Sequence, residues 1–180
     1  PPVPKPEPMS RWRPAYVALG ANLGDPDAKL REAFDRLAAL PGCRLVARSR
    51  LWRSAPLGPV AQPEFVNAAA GLLTTLEPRA LLAALKELER GMGRAQPVVR
   101  WGPRVIDLDL LLVGDERLEE PALTLPHPGV HERNFVLYPL AEFAPDLWIP
   151  GRGRVRRLAA EVGAAGLRPP EREKALVSMP

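Results

Sequence analysis

The chain has 180 residues, 46% of them hydrophobic, enough for one ordinary domain with a real core. No apolar run approaches the roughly 18 residues of a membrane-spanning helix, no apolar signal region opens the chain, and Cys43 alone cannot form an intrachain disulfide, so the expected location is the reducing cytoplasm. The net charge of +4 lies wholly in residues 151–180, which hold seven basic and three acidic side chains, so it reads as a basic surface segment rather than a nucleic-acid site.

PPVPKPEP, with five prolines in eight residues, reads as an extended disordered tail, a linker remnant, or residues upstream of a start at Met9. Ala15 to Gly20 forms a first strand. Asp25 and Pro26 mark an N-cap and first helical turn, and Leu30, Phe34, Leu37 and Leu40 give the helix its apolar stripe before Pro41-Gly42 stops it. Residues 44–52 read as a second strand, 53–63 as a proline-punctuated loop, and Phe65 to Thr75 as a third strand. Pro78 starts a second helix with Leu81, Leu82, Leu85, Leu88 and Met92 on one face, ended by Gly91 and Gly93. A second long loop covers 94–103, and a strong strand follows over 105–113. A short strand is expected near 116–118, a helix near 130–143 and another over 155–163, with the last dozen residues weakly ordered. The expected organisation is a tail over 1–12, one folded domain over 13–165 and a weakly ordered tail over 166–180. Strands 2 and 3, adjacent in sequence without a crossover helix, require a mainly antiparallel sheet, so the fold class is an α+β sandwich.

The strand at 105–113 carries the chemistry. VIDLDLLLV has the hydrophobicity of a buried strand, yet Asp107 and Asp109 interrupt it. Strand side chains alternate faces, so the two carboxylates share one face while Ile106, Leu108 and Leu110 share the other. Two like charges beside an apolar core call for a cation or strong donors. Magnesium fits: it is hard, prefers oxygen, and is completed by one or two carboxylates, waters and phosphate oxygens. Two such carboxylates can also bridge a pair of ions that clamp a transferring phosphoryl group. On the spacing alone, a polar strand face paired to Arg or Lys stays open as the alternative; the aliphatic surroundings favour metal.

Arg94, Arg100, Arg104 and Arg133 flank this pair, and the guanidinium fork suits phosphate oxygens, though solvated surface arginines are the commoner case. His127, between two prolines, is able to donate to a phosphate or simply to stabilise its loop, and for a lone histidine the second reading is favoured. Trp101 is able to stack on a heterocycle or anchor its loop. Phe65 and Asn67 share a strand face and are suited to stack on and read a planar ring, or to fill the core. There is no Walker loop and no GxGxxG, so a nucleotide would be held in another way.

RWGPRVIDLDLLLVG closely resembles the signature of the 6-hydroxymethyl-7,8-dihydropterin pyrophosphokinases (2-amino-4-hydroxy-6-hydroxymethyldihydropteridine diphosphokinases) of folate biosynthesis. YVALGANLGDP, SAPLGPVAQPEFVNAA and LTLPHPGVHERNFVLYPLAEFAPDL resemble further blocks of that family, in the same order, over about residues 15–150. The resemblance implies a ferredoxin-like α-β-α sandwich whose domain transfers pyrophosphate from ATP to the pterin hydroxymethyl oxygen and releases AMP. It implies two Mg2+ ions on Asp107 and Asp109, with Arg94 and Arg104 assisting the transfer. ATP would be bound by Glu89, Arg94, Trp101, Arg104, Leu110, Thr124, His127 and Arg133. The pterin would be bound by Ser54, Ala55, Leu57, Phe65, Asn67, Trp101 and Phe135. Gln96, Pro128 and Lys86 depart from the family's expected residues and bear on rate rather than identity. The small-molecule reading implies a monomer without nucleic-acid or membrane partners. The rivals are a nucleic-acid module on a ferredoxin-like sheet, a two-metal phosphodiesterase, and a relative that has lost catalysis.

Overall fold

A computed structural model describes residues 11–56, 58–93 and 102–171. The chain runs β1 (Arg13–Ala21), α1 (Pro26–Ala38), β2 (Cys43–Arg48), β3 (Trp52–Ser54), β4 (Phe65–Thr74), α2 (Pro78–Gly91) and β5 (Asp107–Val113). It continues through β6 (Leu118–Glu119), β7 (Thr124–Leu125), α3 (Asn134–Ala141), β8 (Trp148–Ile149), β9 (Gly153–Arg154), α4 (Val155–Val162) and β10 (Leu167–Arg168). The main sheet has the order β10-β3-β4-β1-β5, with β2 beside β4, and each of these pairings is antiparallel.

Local chemistry sets the element ends. The Asp25 carboxylate accepts the Ala28 N–H at 3.1 Å, satisfying one of the free donors at the start of α1, and Pro26 needs no such partner. After α1, Gly42 turns with φ 75°, and a side chain there would press on Thr75 and Leu76. The Gly42 carbonyl is thereby free to take the Thr75 N–H at 2.9 Å and the Thr74 hydroxyl at 3.0 Å.

The two sheet faces bury separate cores. Leu30, Phe34 and Leu37 of α1 and Leu81, Leu85 and Leu88 of α2 pack with Val17, Leu19, Leu72 and Leu108 on one face. Val136, Leu137 and Leu140 of α3 and Val155 and Leu158 of α4 pack with Ala18, Ala69, Leu111 and Leu112 on the other. This is the expected α-β-α sandwich with an antiparallel sheet. Each fully buried leucine contributes roughly 2 kcal/mol of apolar burial, so both helix layers are held by their stripes rather than by propensity.

Several boundaries differ from the sequence expectation. The single strand expected over 44–52 is split, because Ser49 turns its hydroxyl into the sheet: it accepts the Ala69 N–H at 2.9 Å and donates to the Arg50 carbonyl at 2.8 Å. The helix expected from 130 begins only at Asn134, since the preceding residues close turns, with the Val130 N–H on the His127 carbonyl at 3.1 Å and the Glu132 N–H on the Gly129 carbonyl at 3.2 Å. The short strand expected near 116–118 falls at Leu118–Glu119 and pairs with β7. The stretch from 166, expected to be a weakly ordered tail, instead contains β10, paired to β3; residues 172–180 lie outside the described residues.

Candidate active site at the junction of two cavities

Among the described residues β5 is the last strand of the sheet, paired to β1 on one side only. Along it, Asp107 and Asp109 are half-buried while Leu108 and Leu110 are buried, so the carboxylates share a face as the alternation requires. Pairing across the sheet sets Asp107 opposite Gly20, Gly20 opposite Asn67, and Asn67 opposite Trp52. Directly paired residues point to the same face, and strands lie about 4.8 Å apart, so Asp107 and Asn67 stand roughly 10 Å apart with a glycine between them. A Cβ on Gly20 would touch nothing nearer than the Asn67 Oδ1 at 3.7 Å. Gly20 therefore keeps the floor open between carboxylate and amide, and the next row, Asp109 opposite Ala18, is also small.

Above that floor is a cavity of about 340 Å³, walled by Ser54, Phe65, Asn67, Arg104, Arg133 and Phe135 together with both aspartates. Asn67 is 4% exposed, and its Nδ2 donates to the Ser54 hydroxyl at 2.8 Å. The Arg133 guanidinium lies 6.0 Å from the centre of the Phe135 ring. A second cavity, about 300 Å³, curls round the open edge of β5 and is walled by Glu89, Leu110, Thr124 and His127, again with both aspartates. Lys86 and Pro128 line it too. Asp107 and Asp109 are thus common to both cavities.

Two carboxylates of this kind suit one class of metal. Among the described residues no group of three or more His, Cys, Asp or Glu side chains is placed to hold one metal ion, so a closed zinc-type site is not built here. A pair of hard oxygen donors beside open cavities fits magnesium, whose shell is completed by phosphate oxygens and water.

The supporting residues are fixed by the backbone around them. The Glu89 carboxylate is 5% exposed, and its Oε1 accepts the Leu108 N–H at 2.7 Å, between the two aspartates, as well as facing the second cavity. The His127 N–H donates to the Leu111 carbonyl at 2.9 Å. Its Nδ1 accepts the Gly129 N–H at 3.0 Å, which leaves the ring proton on Nε2. Burial first, and then the Arg133 charge, lowers its pKa to about 4 against the opposing pull of Asp107, so the ring is a neutral donor near pH 7. Arg104 donates from Nη1 to the Gly102 carbonyl at 2.7 Å, while its N–H donates to the Asn22 Oδ1 at 2.8 Å.

Ser54, Ala55, Phe65, Asn67, Arg104, Asp107, Asp109, Arg133 and Phe135 are brought together at the first cavity, and Glu89, Leu110, Thr124 and His127 at the second. Arg94 and Trp101, the pterin-loop residue Leu57, and Arg100 and Gln96 lie outside the described residues. Three contributors escaped the sequence reading as individual residues. Gly20 clears the floor. Asn22, 3% exposed, ties the end of β1 to Arg104 and also donates to the Gln62 Oε1 at 2.9 Å and the Pro63 carbonyl at 3.0 Å. Gly129 leaves room for Arg133, whose Nε would lie 2.7 Å from a Cβ there. The available signals were a glycine at the end of an apolar strand, a lone amide after it, and a glycine four residues before an arginine; none specifies a partner.

Residues 16–145 match the family described as 7,8-dihydro-6-hydroxymethylpterin-pyrophosphokinase (HPPK). The 2-amino-4-hydroxy-6-hydroxymethyldihydropteridine pyrophosphokinase of Pseudomonas aeruginosa is 51% identical over 146 residues, which cover 81% of this chain and 90% of that one. That of Methylorubrum extorquens is 46% identical over 153 residues, covering 85% of this chain and 96% of that one. Among solved structures, a Plasmodium falciparum HPPK-DHPS triple mutant with SDX-DHP superposes with a TM-score of 0.68 at 16% identity, covering 86% of this chain and 45% of that one. At that identity the likeness shows the fold, and this chain spans less than half of the Plasmodium chain. Fold and relatives together define the class as an α+β pyrophosphokinase. The chain belongs to the 7,8-dihydro-6-hydroxymethylpterin-pyrophosphokinase family.

Proposed function

We propose that this chain transfers the pyrophosphoryl group of ATP to 6-hydroxymethyl-7,8-dihydropterin, giving the pterin diphosphate and AMP, in folate biosynthesis. Family membership supplies the reaction. The observation that carries its placement is that Asp107 and Asp109 are shared by two cavities, one with an aromatic and amide lining and one along the open edge of β5.

The first cavity takes the pterin. Phe65 and Phe135 flank its ring, Asn67 and Ser54 read its polar edge, Ala55 lines the wall beside it, and the family resemblance adds Leu57 as a pterin contact. The second takes the nucleotide, with Leu110 and Thr124 at the base and Glu89 and His127 beside it. Arg133, just before α3, and Arg104 reach the phosphates, and the family resemblance adds Arg94 and Trp101 as ATP contacts. The neutral His127 donates from Nε2 without adding charge. Asp107 and Asp109 hold magnesium, two ions in the full complex, and that metal supplies charge neutralisation on the transferring group. The pterin hydroxyl attacks the β-phosphorus in line, the bond from that phosphorus to the oxygen retained by AMP breaks, and the hydroxyl proton leaves to solvent. The protein's part is positioning, charge stabilisation and exclusion of water, so no strong protein base is needed.

The same reading makes residues 13–168, which close with β10 on the main sheet, the catalytic domain of a cytoplasmic monomer without nucleic-acid partners. Among the described residues no helix is long and apolar enough to cross a membrane. The deciding experiment is AMP release from Mg-ATP with and without 6-hydroxymethyl-7,8-dihydropterin. AMP that requires the pterin and matches the diphosphate ester mole for mole is the expected result. ADP, or AMP formed equally without the pterin, overturns the assignment.

A further inference from the structure

We infer that residues 163–168 form a strap that sets the width of the first cavity, with Asn134 as its positioning residue. This rests on the reading of that cavity as the pterin's. The family match ends at residue 145, so the strap lies beyond the part of the chain that the match covers. It nevertheless meets three walls of the cavity.

The first wall is the start of α3. Arg133 and Phe135 line the cavity. Asn134, between them, faces the other way, and its Nδ2 donates to the Gly163 carbonyl at 3.0 Å and the Ala165 carbonyl at 2.9 Å. Arg133, the N-cap residue of α3, makes no side-chain capping bond, so no cap fixes this helix end locally. The second wall is β3 and the residue after it. The Ala55 N–H donates to the Gly166 carbonyl at 3.2 Å, and Leu167 and Arg168 pair with Ser54 and Arg53. The third is the entry to β4, where Arg168 forms an ion pair with Glu64, the residue before Phe65. Gly163 and Gly166, with φ 76° and 75°, occupy the left-handed region and let so short a segment turn twice.

One segment therefore ties the strand side, carrying Ser54, Ala55 and Phe65, to the helix side, carrying Phe135. A planar ring held between those sides gains contact that decays within an ångström of added width. The strap pre-organises that spacing before the ring enters, which lowers the ordering cost of binding. The lining of the nucleotide cavity comes from α2, β5 and residues 121–128, none of them tied to the strap, so Arg133 alone serves both ligands from a strap-linked wall. The inference predicts a loss that falls chiefly on the pterin.

The test measures binding of 6-hydroxymethyl-7,8-dihydropterin and of a magnesium complex of a non-hydrolysable ATP analogue, separately, by calorimetry on the 180-residue chain, together with steady-state constants. N134A removes both donors. N134D keeps the shape, favours the helix N-terminus electrostatically and removes the donors, so it separates lost positioning from lost stability. Both should weaken pterin binding and raise its KM about tenfold, the loss of roughly one or two hydrogen bonds' worth of organisation. Nucleotide binding and kcat should stay within about twofold. A chain ending at Val162 should show the larger form of the same split; should it fail to fold, the two point variants decide alone. Pterin binding within about twofold of the unaltered chain in N134A and N134D overturns the inference, as does an equal loss for both ligands. If the unaltered chain itself binds nucleotide but no pterin, the functional reading fails instead, so the two failures are distinguishable.

Discussion

Leu108 is buried between two half-buried aspartates, and that alternation gives Asp107 and Asp109 a common face toward both cavities. Their removal should therefore affect chemistry more than folding. Asp107→Ala or Asp109→Ala is expected to abolish turnover, by at least about a thousandfold, with the thermal midpoint within a few degrees of the parent. Near-normal AMP formation in either variant would show that the pair does not hold the metal. Asn67 lies on the floor of one cavity only, so Asn67→Ala should weaken pterin binding by roughly one to two orders of magnitude and leave nucleotide binding nearly unchanged. Comparable losses for the two ligands would remove its assigned role. His127 makes a pH-dependent contribution whose sign follows from its lowered pKa. Below about pH 6.5 the unfolded chain takes a proton that the folded ring refuses until about pH 4. Stability must then fall as pH drops through that window and be indifferent to this group above it. The cost is at most about 3 kcal/mol, and smaller because the ring is partly exposed. Urea unfolding at pH 7.5 and pH 4.5 should show the parent losing more stability between the two than His127→Gln does. An identical loss in both proteins would refute the assignment.

At the scale of elements, β5 depends on its two sides in different ways. On the β1 side it has a ladder; at its open edge the Leu108 N–H is met by Glu89 from α2. A Glu89→Gln variant retains a carbonyl acceptor and should fold with nearly the parent's stability. Glu89→Ala leaves a buried N–H without that acceptor and should cost about 1–3 kcal/mol, and it should depress turnover by loosening the strand between the aspartates. Equal stability of the alanine and glutamine variants, read from denaturant midpoints, would contradict this. The alternation of β5 was legible in the sequence, because acid at every second position of a long apolar run fits a strand with one polar face and does not fit a helical stripe. The helices α1 and α2 were legible through their stripes and their prolines. The sequence could not show that Ser49 would break a strand by bonding Ala69, nor that a glutamate in a helix would serve a strand residue 19 positions later, because both depend on tertiary partners. β7 to β10 are two residues each, apart from the helices between them, and have no period to read. The late start of α3 was hidden for a similar reason: apolar and helix-compatible residues precede it, but their N–H groups are committed to turns.

Across the whole molecule, the site is assembled where the two helix layers and the end of the sheet meet, while its residue types come from four separated stretches of chain. The family resemblance was readable because those stretches keep their order; the row Asp107, Gly20, Asn67 was not, because it runs across strands rather than along them. β1 enters the sheet at the end away from Gly20 and the site. Trp12 sits under the Arg44 guanidinium, 4.5 Å from the ring centre, and β1 begins at Arg13. Removing residues 1–10 should therefore leave the thermal midpoint and kcat/KM unchanged within error. A clear drop in either would mean that the proline-rich head contributes to the domain.

The irregularity in β5 has one more consequence. Val17 pairs with Leu110 and Tyr16 with Leu112, so Leu111 is an extra residue, and both Leu111 and Leu112 face the same core. The strand changes phase there. Upstream it offers acid to one face; downstream it offers leucine to that same face twice, and the carbonyl of Leu111 receives His127. Deleting Leu111 would restore an unbroken alternation from Asp107 to Val113, with every remaining side chain on its present face. The edit that looks most disruptive in a strand would thus be the one that respects its polarity, losing a buried leucine, a cost of about 2–5 kcal/mol, and the tether of a loop. A lineage shedding that residue could keep its sheet and its acidic pair while detaching the histidine from them.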